Sequence, residues 1–262
     1  MPSVTWLASY PMRDNHWIRF LLASYLVDAP ITSLDSLDSE LPEQAILLRR
    51  GMMIPLNESG QTVVETHFLP EADVMRRYGD VTEKIIYVTL DPRTSMLKLM
   101  EGLRVSAAKR TEFVKDFIEH RGLSLFVENG NGTWPQSVRQ WTHPAAARQY
   151  FPHAEVLTVR YEDLIDDPAT ALGRTAGFLG QASVSGERVG RAVKNGSLEA
   201  FDAVKRAERA NGGPGPHDSQ RGPLVSEMSW AALDPEADTA YKQWLREDEE
   251  FRLIVKDLGY EP

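Results

Sequence analysis

The order of the apolar segments is the feature that most constrains how this chain can fold. Short, β-rich segments at residues 4–10, 63–70 and 83–93, and another that starts at Glu155, alternate with segments whose apolar residues recur at helical spacing. Strands that alternate with helices pair in parallel, because each helical crossover returns the chain to the same end of the sheet. The sequence therefore predicts an α/β fold with a central parallel sheet flanked by helices.

Three turns of this pattern are expected at one edge of the sheet. They follow Tyr10, His67 and Leu90, each at the end of a predicted strand. Ligands of open parallel sheets bind beyond the carboxyl ends of the strands. We therefore expect the functional site at this edge.

The 262 residues contain no internal repeat and are expected to form one domain, residues 1–262. Within it, residues 205–226 are rich in glycine, proline and charged residues. Such a composition is typical of a loop, and we predict that this segment is mobile.

Composition excludes several classes of function. The chain has no cysteine, which rules out disulfides and thiolate chemistry. A net charge of −9 argues against nucleic acid as a partner, and the lack of a long apolar stretch argues against a membrane. The six histidines form no i, i+4 pair, so we expect no metal site. We expect a cytoplasmic protein.

Taken together, the segments resemble the sulfotransferases that use 3′-phosphoadenosine-5′-phosphosulfate (PAPS), most closely the small bacterial enzymes that modify natural products. SYP…W from Ser9 to Trp17 is similar to the family's phosphosulfate loop, and THFLP at Thr66 is similar to the segment that carries the catalytic base. VLTVRYEDLIDDP is the most specific match, and QRGP at Gln220 falls where the family has a mobile loop. The resemblance implies a P-loop-like sulfotransferase fold over nearly the whole chain.

The positions that would bind PAPS depart from the family pattern. Met12 and Asp14 replace the loop lysine and glycine, while Leu90 and Lys98 replace the arginine and serine of the 3′-phosphate site. Methionine and leucine have no donor, and aspartate repels a phosphate. Lys98 still offers a cation to a phosphate, but each lost charge-assisted bond costs roughly 1.5–3 kcal/mol. We therefore predict that the chain has lost PAPS binding and uses no cofactor.

Other features of the family site are retained. His67 occupies the position of the general base, and Arg13, Asn15 and His16 stand where a helix begins. A helix amino terminus favours an anion, and an arginine can bind sulfate through two hydrogen bonds. We predict that His67, Arg13 and His16 are catalytic, and that Arg13, Asn15, His16 and Arg221 bind sulfate.

A retained base without the nucleotide site favours an enzyme whose substrate arrives already sulfated. His67 would remove a proton from a substrate amine, and sulfate would leave as the amine closes a ring. On these grounds the chain is similar to the sulfotransferase-like proteins of azinomycin-type aziridine biosynthesis, an antibiotic pathway. That resemblance implies a sulfated small-molecule amine as substrate, attached to an amino-group carrier protein.

Two alternatives remain open. One is a PAPS-dependent sulfotransferase that acts on a small-molecule hydroxyl, with Arg13 and Lys98 in place of the lost cations. The other is a non-catalytic partner that forms a complex with a true sulfotransferase homologue. Nucleotide binding would indicate the first, and co-purification with a homologue whose turnover does not depend on His67 would indicate the second.

Overall fold

A four-stranded parallel sheet forms the centre of the structure, a computed structural model that describes residues 2–11, 15–57, 60–180, 184–210 and 229–260. The spatial order of the strands is β2-β1-β3-β4. Their bounds are Ser3–Ser9 for β1, Gln61–Thr66 for β2, Thr82–Thr89 for β3 and Glu155–Arg160 for β4. The predicted α/β fold with a central parallel sheet is therefore confirmed.

Helices cover both faces of this sheet. In chain order they are α1 (Asn15–Val27), α2 (Leu34–Glu40), α3 (Gln44–Arg49), α4 (Pro92–Gly102), α5 (Arg110–Glu119), α6 (Ser124–Glu128), α7 (Trp134–Thr142), α8 (Pro144–Tyr150), α9 (Tyr161–Asp166), α10 (Pro168–Phe178), α11 (Gly186–Asn195), α12 (Leu198–Ala210), α13 (Pro235–Glu247) and α14 (Glu249–Asp257). None of the described helices combines the length and the apolar character that crossing a bilayer requires.

Strand β1 separates two apolar cores because successive side chains of a strand point to opposite faces. Trp6 lies in an aromatic cluster on one face, 5.6 Å between ring centroids from Tyr78, and its Nε1 donates a hydrogen bond to Thr82 Oγ1 at 3.0 Å. Leu7 lies in the other cluster, with Leu21 of α1. Every residue of β1 is buried, as expected for a central parallel strand.

The ends of β3 and β4 are joined by a half-buried carboxylate. Glu162 Oε1 accepts a hydrogen bond from the Asp91 backbone N–H at 3.2 Å, and Glu162 Oε2 accepts one from the Tyr260 hydroxyl at 3.2 Å. Burial raises the pKa of Glu162 above its usual value. This residue of the RYEDL segment therefore holds the carboxyl edge of the sheet together.

Helix α1 is fixed against the end of α11 by a close approach of the backbone. Trp17 Nε1 donates to the Gly196 carbonyl oxygen at 2.9 Å. A Cβ atom on Gly196 would lie 2.8 Å from Leu21 Cα, closer than Cβ atoms come to other atoms in proteins. Glycine at this position therefore sets the distance between the two helices.

The predicted loop at residues 205–226 starts too early. Residues 205–210 complete α12, because Phe201 and Lys205 are buried on its inner side, and Lys205 forms an ion pair with Asp202 at 2.7 Å. Residues 211–226 lie outside the described ranges. The expectation of a single domain over residues 1–262 stays a prediction.

Candidate functional site

His67 lies at the carboxyl edge of the sheet, where β1 and β2 end side by side. Its Nδ1 atom is 3.1 Å from the Ser9 carbonyl oxygen and 3.3 Å from Ser9 Oγ. Because a carbonyl oxygen only accepts hydrogen bonds, Nδ1 carries the hydrogen in this contact. The neutral ring then has its lone pair on Nε2, which is the nitrogen available to take up a proton.

The backbone around His67 is held by neighbouring side chains. Asn131 Nδ2 donates to the His67 carbonyl oxygen at 2.9 Å, and Trp141 Nε1 donates to the Phe68 carbonyl oxygen at 3.2 Å. The Thr66 hydroxyl oxygen accepts from the Phe68 N–H at 3.2 Å. A partly exposed imidazole on a rigid backbone has the placement that a general base requires.

The carboxylate of Glu65 lies close to both histidines that the sequence predicts at the site. Residues 65 and 67 are two apart along an extended segment, so their side chains point the same way. Glu65 Oε1 is 3.9 Å from His67 Nε2, and Glu65 Oε2 is 3.9 Å from His16 Nδ1. His67 and His16 therefore share one carboxylate, although they are separated by 51 positions in the chain.

Arg19 is the counter-ion of this buried group. Its Nη1 lies 3.3 Å from Glu65 Oε2 and 3.6 Å from Glu43 Oε2, and its Nη2 is 2.6 Å from Asp38 Oδ1. Three carboxylates thus surround one guanidinium, and Arg50 reaches Asp38 only from the exposed rim at 3.8 Å. Among the described residues, the three carboxyl groups of this cluster, which we call the acidic cluster (Asp38, Glu43 and Glu65), outnumber the two guanidinium groups that contact them.

Burial dominates the electrostatics of Glu65. Only 2% of its side chain is exposed, and this desolvation raises its pKa, while the positive charge of Arg19 and the proximity of His67 oppose the rise. Glu43 raises the pKa of Glu65 further by repulsion. A carboxyl group in this position can bind a proton at a pH where an exposed glutamate is ionised.

His16, Glu43 and Glu65 also present the donor set of a metal site. Their ligand atoms all lie within 4.8 Å of one another. However, the two carboxylate oxygens that face His16 are the same two that face Arg19 Nη1. The guanidinium already supplies positive charge at that point and would repel a cation. We therefore assign no metal to these residues.

Several predicted site residues cannot be placed in this description. Met12, Arg13, Asp14 and Arg221 lie outside the described residues, and Asn15 is described only as the first residue of α1. Their predicted roles stay predictions. His16 is described, and its Nδ1 faces carboxylates of the acidic cluster.

The positions that correspond to the 3′-phosphate site point into the protein. Leu90 is 2% exposed and belongs to the core cluster on the α1 face of the sheet. Lys98 is 3% exposed, and its ammonium lies 4.9 Å from the centre of the Tyr161 ring. The charge of Lys98 therefore lies against an aromatic ring, and its contact with a phosphate stays a prediction.

Arg93, which follows Leu90 in the same turn, is also engaged within the chain. Its Nε and Nη2 donate to the two carboxylate oxygens of Asp91 at 3.1 and 2.7 Å. Its guanidinium lies 5.4 Å from the Tyr241 ring centre. This arginine therefore has its charge balanced by its own turn.

Sequence reasoning missed Arg19, Glu43 and Glu65. Two of them carried a visible signal. Glu65 is a charge inside the apolar strand VVET, and Arg19 interrupts the apolar stripe of α1 between Ile18 and Leu21. Buried charges require partners, so each of them indicated a polar contact elsewhere in the fold. Glu43 lies in a polar stretch and gave no such signal.

Fold and site together define an α/β protein with a histidine and a buried carboxylate at the carboxyl edge of its sheet. The model of the sulfotransferase domain matches residues 55–213, which is more than half of the chain. The chain belongs to the sulfotransferase family. A search of curated protein sequences finds no match.

Solved structures share this fold over most of the chain. Mouse sulfotransferase SULT7A1 complexed with PAP is 18% identical with a TM-score of 0.61, covering 97% of this chain and 88% of its own. Retinol dehydratase in complex with androsterone and the inactive cofactor PAP is 18% identical with a TM-score of 0.58, and the match covers 97% of this chain and 81% of the dehydratase chain. A putative steroid sulphotransferase of Arabidopsis thaliana is 16% identical with a TM-score of 0.51, and the match covers 87% of this chain and 78% of the plant chain.

Proposed function

We propose that this sulfotransferase-family protein is an enzyme that eliminates sulfate from a sulfated amine and closes a ring, as in aziridine formation. His67 Nε2 removes a proton from the amine. The amine lone pair attacks the carbon that bears the sulfate, the C–N bond forms, and the C–O bond breaks with its electron pair on the leaving sulfate. Positioning for attack from the side opposite the sulfate supplies much of the rate enhancement.

The observation that carries the proposal is the contact of His67 with the acidic cluster. A multiply charged sulfuryl donor placed beside His67 would be repelled by Glu65, whose carboxylate is 3.9 Å from the imidazole. A substrate ammonium would be attracted by the same charge. The electrostatics of the site therefore favour a cationic amine substrate.

The buried positions of Leu90 and Lys98 support the same proposal. Leu90 has no donor to offer at the turn after β3, where the family resemblance places the 3′-phosphate, and the Lys98 ammonium lies against the Tyr161 ring. The name of one structural neighbour, retinol dehydratase, describes an elimination, and PAP is the inactive cofactor in its complex. The sulfotransferase fold therefore includes a protein named for an elimination.

Proton release provides the sharpest test. At a pH above the pKa of the ring ammonium and below that of the substrate ammonium, ring closure to the neutral ring amine releases two protons for each sulfate, whereas simple hydrolysis of the sulfate ester releases one. The probe is 2-aminoethyl hydrogen sulfate, with sulfate measured by ion chromatography and protons by pH-stat. We expect two protons per sulfate from the parent chain and a much slower but still measurable sulfate release in His67→Ala. Sulfate release that is no faster in the parent than in His67→Ala would contradict the proposal.

A PAPS-dependent sulfotransferase is the second candidate, and the family match and the PAP complexes of two neighbours favour it. Calorimetric titration with adenosine 3′,5′-bisphosphate separates the two, with inorganic sulfate in a parallel titration. Micromolar nucleotide binding would support the sulfotransferase and refute the elimination. Sulfate binding without nucleotide binding would support the elimination.

A further inference from the structure

Glu65 is a buried acid, and the proposed reaction gives it no part in proton transfer. It is surrounded by groups from three parts of the chain: Arg19 and His16 on α1, Glu43 before α3, and His67 beyond the end of its own strand. A buried carboxylate is unfavourable unless it is paired. Arg19 faces the two carboxylates Glu43 and Glu65 and also binds Asp38, so its single charge compensates Glu65 only in part.

The orientation of the His67 ring directs its reactive nitrogen to this acid. Nδ1 donates to the Ser9 carbonyl oxygen, so a proton taken up by the neutral ring must arrive on Nε2. Nε2 is the nitrogen that lies 3.9 Å from Glu65 Oε1. Contacts of this kind are often long before substrate binds and shorten in the reacting complex.

The stoichiometry of the proposed reaction requires two proton acceptors. One proton leaves the ammonium before the amine attacks, and a second leaves the ring nitrogen after the C–N bond has formed. A histidine whose Nδ1 is already protonated can hold one of them. The sulfate departs as the dianion, so the other proton needs a second acceptor.

We propose that Glu65 is a positioning residue that acts through His67 and accepts the first proton from its Nε2. The transfer restores the lone pair of Nε2, which then takes the second proton. One proton ends on the Glu65 carboxyl group and the other on the imidazole, and both atoms and charge balance. This inference rests on the proposed function, since it takes His67 as the base.

The first test needs no substrate. Infrared difference spectroscopy follows the C=O stretch of protonated Glu65, identified by its loss in Glu65→Gln. Because His67 lowers and Glu43 raises the pKa of Glu65, we expect the band to persist to higher pH in His67→Ala and to disappear at lower pH in Glu43→Gln. A Glu65 band whose pH dependence is the same in the parent and in His67→Ala would overturn the inference.

The second test is a double-mutant cycle on sulfate release from 2-aminoethyl hydrogen sulfate. Glu65→Gln keeps the size of the side chain, and we expect it to lower kcat by about 10- to 100-fold with KM nearly unchanged. In the His67→Ala background the same change should alter kcat by less than about twofold, since a residue that acts through His67 has no effect without it. Equal losses in both backgrounds would show a purely structural role and overturn the inference.

Asp38→Asn is the matched control for the cycle, because it removes a carboxylate from the same guanidinium without facing His67 Nε2. Its effect on kcat should be the same in the parent and in the His67→Ala background. If no variant, the parent included, releases sulfate, the proposed function fails, while the infrared titration still decides whether Glu65 and His67 are coupled.

Discussion

Arg19→Met should destabilise the fold strongly, and by an amount that depends on pH. The substitution keeps much of the side-chain volume but removes the guanidinium from the acidic cluster. At an effective dielectric constant of about 20, a charge pair 3.3 Å apart attracts by about 5 kcal/mol. After the cost of desolvation is subtracted, removing one partner of a buried pair costs about 3–5 kcal/mol. We expect a loss of this size in the free energy of unfolding at pH 8.

The pH dependence follows from the protonation of Glu65. Arg19 lowers the pKa of Glu65 against the effect of burial, so its removal raises that pKa further above the unfolded value. A carboxyl group with a raised pKa in the folded state contributes stability below the unfolded value, about 4.3, and loses it as the pH rises. The deficit of Arg19→Met should therefore be small near pH 4 and grow towards pH 8.

Urea unfolding of the parent and of Arg19→Met at several pH values between 4.5 and 8 measures this difference. Arg50→Met is the matched control, because Arg50 contacts the same Asp38 from the exposed rim at 3.8 Å. An exposed ion pair is worth about 0–1 kcal/mol, so the control should change stability little at any pH. A deficit of Arg19→Met that is below about 1 kcal/mol, or equal at all pH values, would refute the reasoning.

Two further predictions concern packing and the support of the base. Gly196→Ala places a Cβ atom 2.8 Å from Leu21 Cα, and we expect thermal unfolding to show a loss of about 1–3 kcal/mol in stability. Gly190→Ala in the same region meets nothing within 4 Å and should stabilise the protein by about 0.5–1 kcal/mol. Equal effects of the two substitutions would contradict this prediction. Asn131→Ala removes the donor to the His67 carbonyl oxygen and should lower stability by about 1 kcal/mol and slow sulfate release. An unchanged rate of sulfate release would show that this hydrogen bond does not position the base.

The architecture could be predicted from sequence because it depends on patterns within short segments. The strands β1 and β3 each begin one residue before the predicted segments and otherwise lie within them, since both are rich in residues that favour strands. His67 was selected by its sequence context, and the structure places it at the expected edge of the sheet.

The electrostatics of the site could not be predicted in the same way. Arg19 meets Glu65 across 46 positions, and nothing in either local sequence identifies the other as its partner. Lys98 is the opposite case. Its charge suggested an exposed side chain, but in the structure it is buried, with its ammonium against the Tyr161 ring. Propensity and periodicity describe single elements, whereas the environment of a charge depends on which elements pack together.

The position of β1 between β2 and β3 has a consequence for synthesis of the chain. β1, the first of the four strands in chain order, pairs on one edge with residues 61–66 and on the other with residues 82–89. Until both have emerged, an apolar strand with two open edges has no partner, and such strands are sites of aggregation. Nascent chains that end before about residue 90 are therefore the ones that most need chaperone protection.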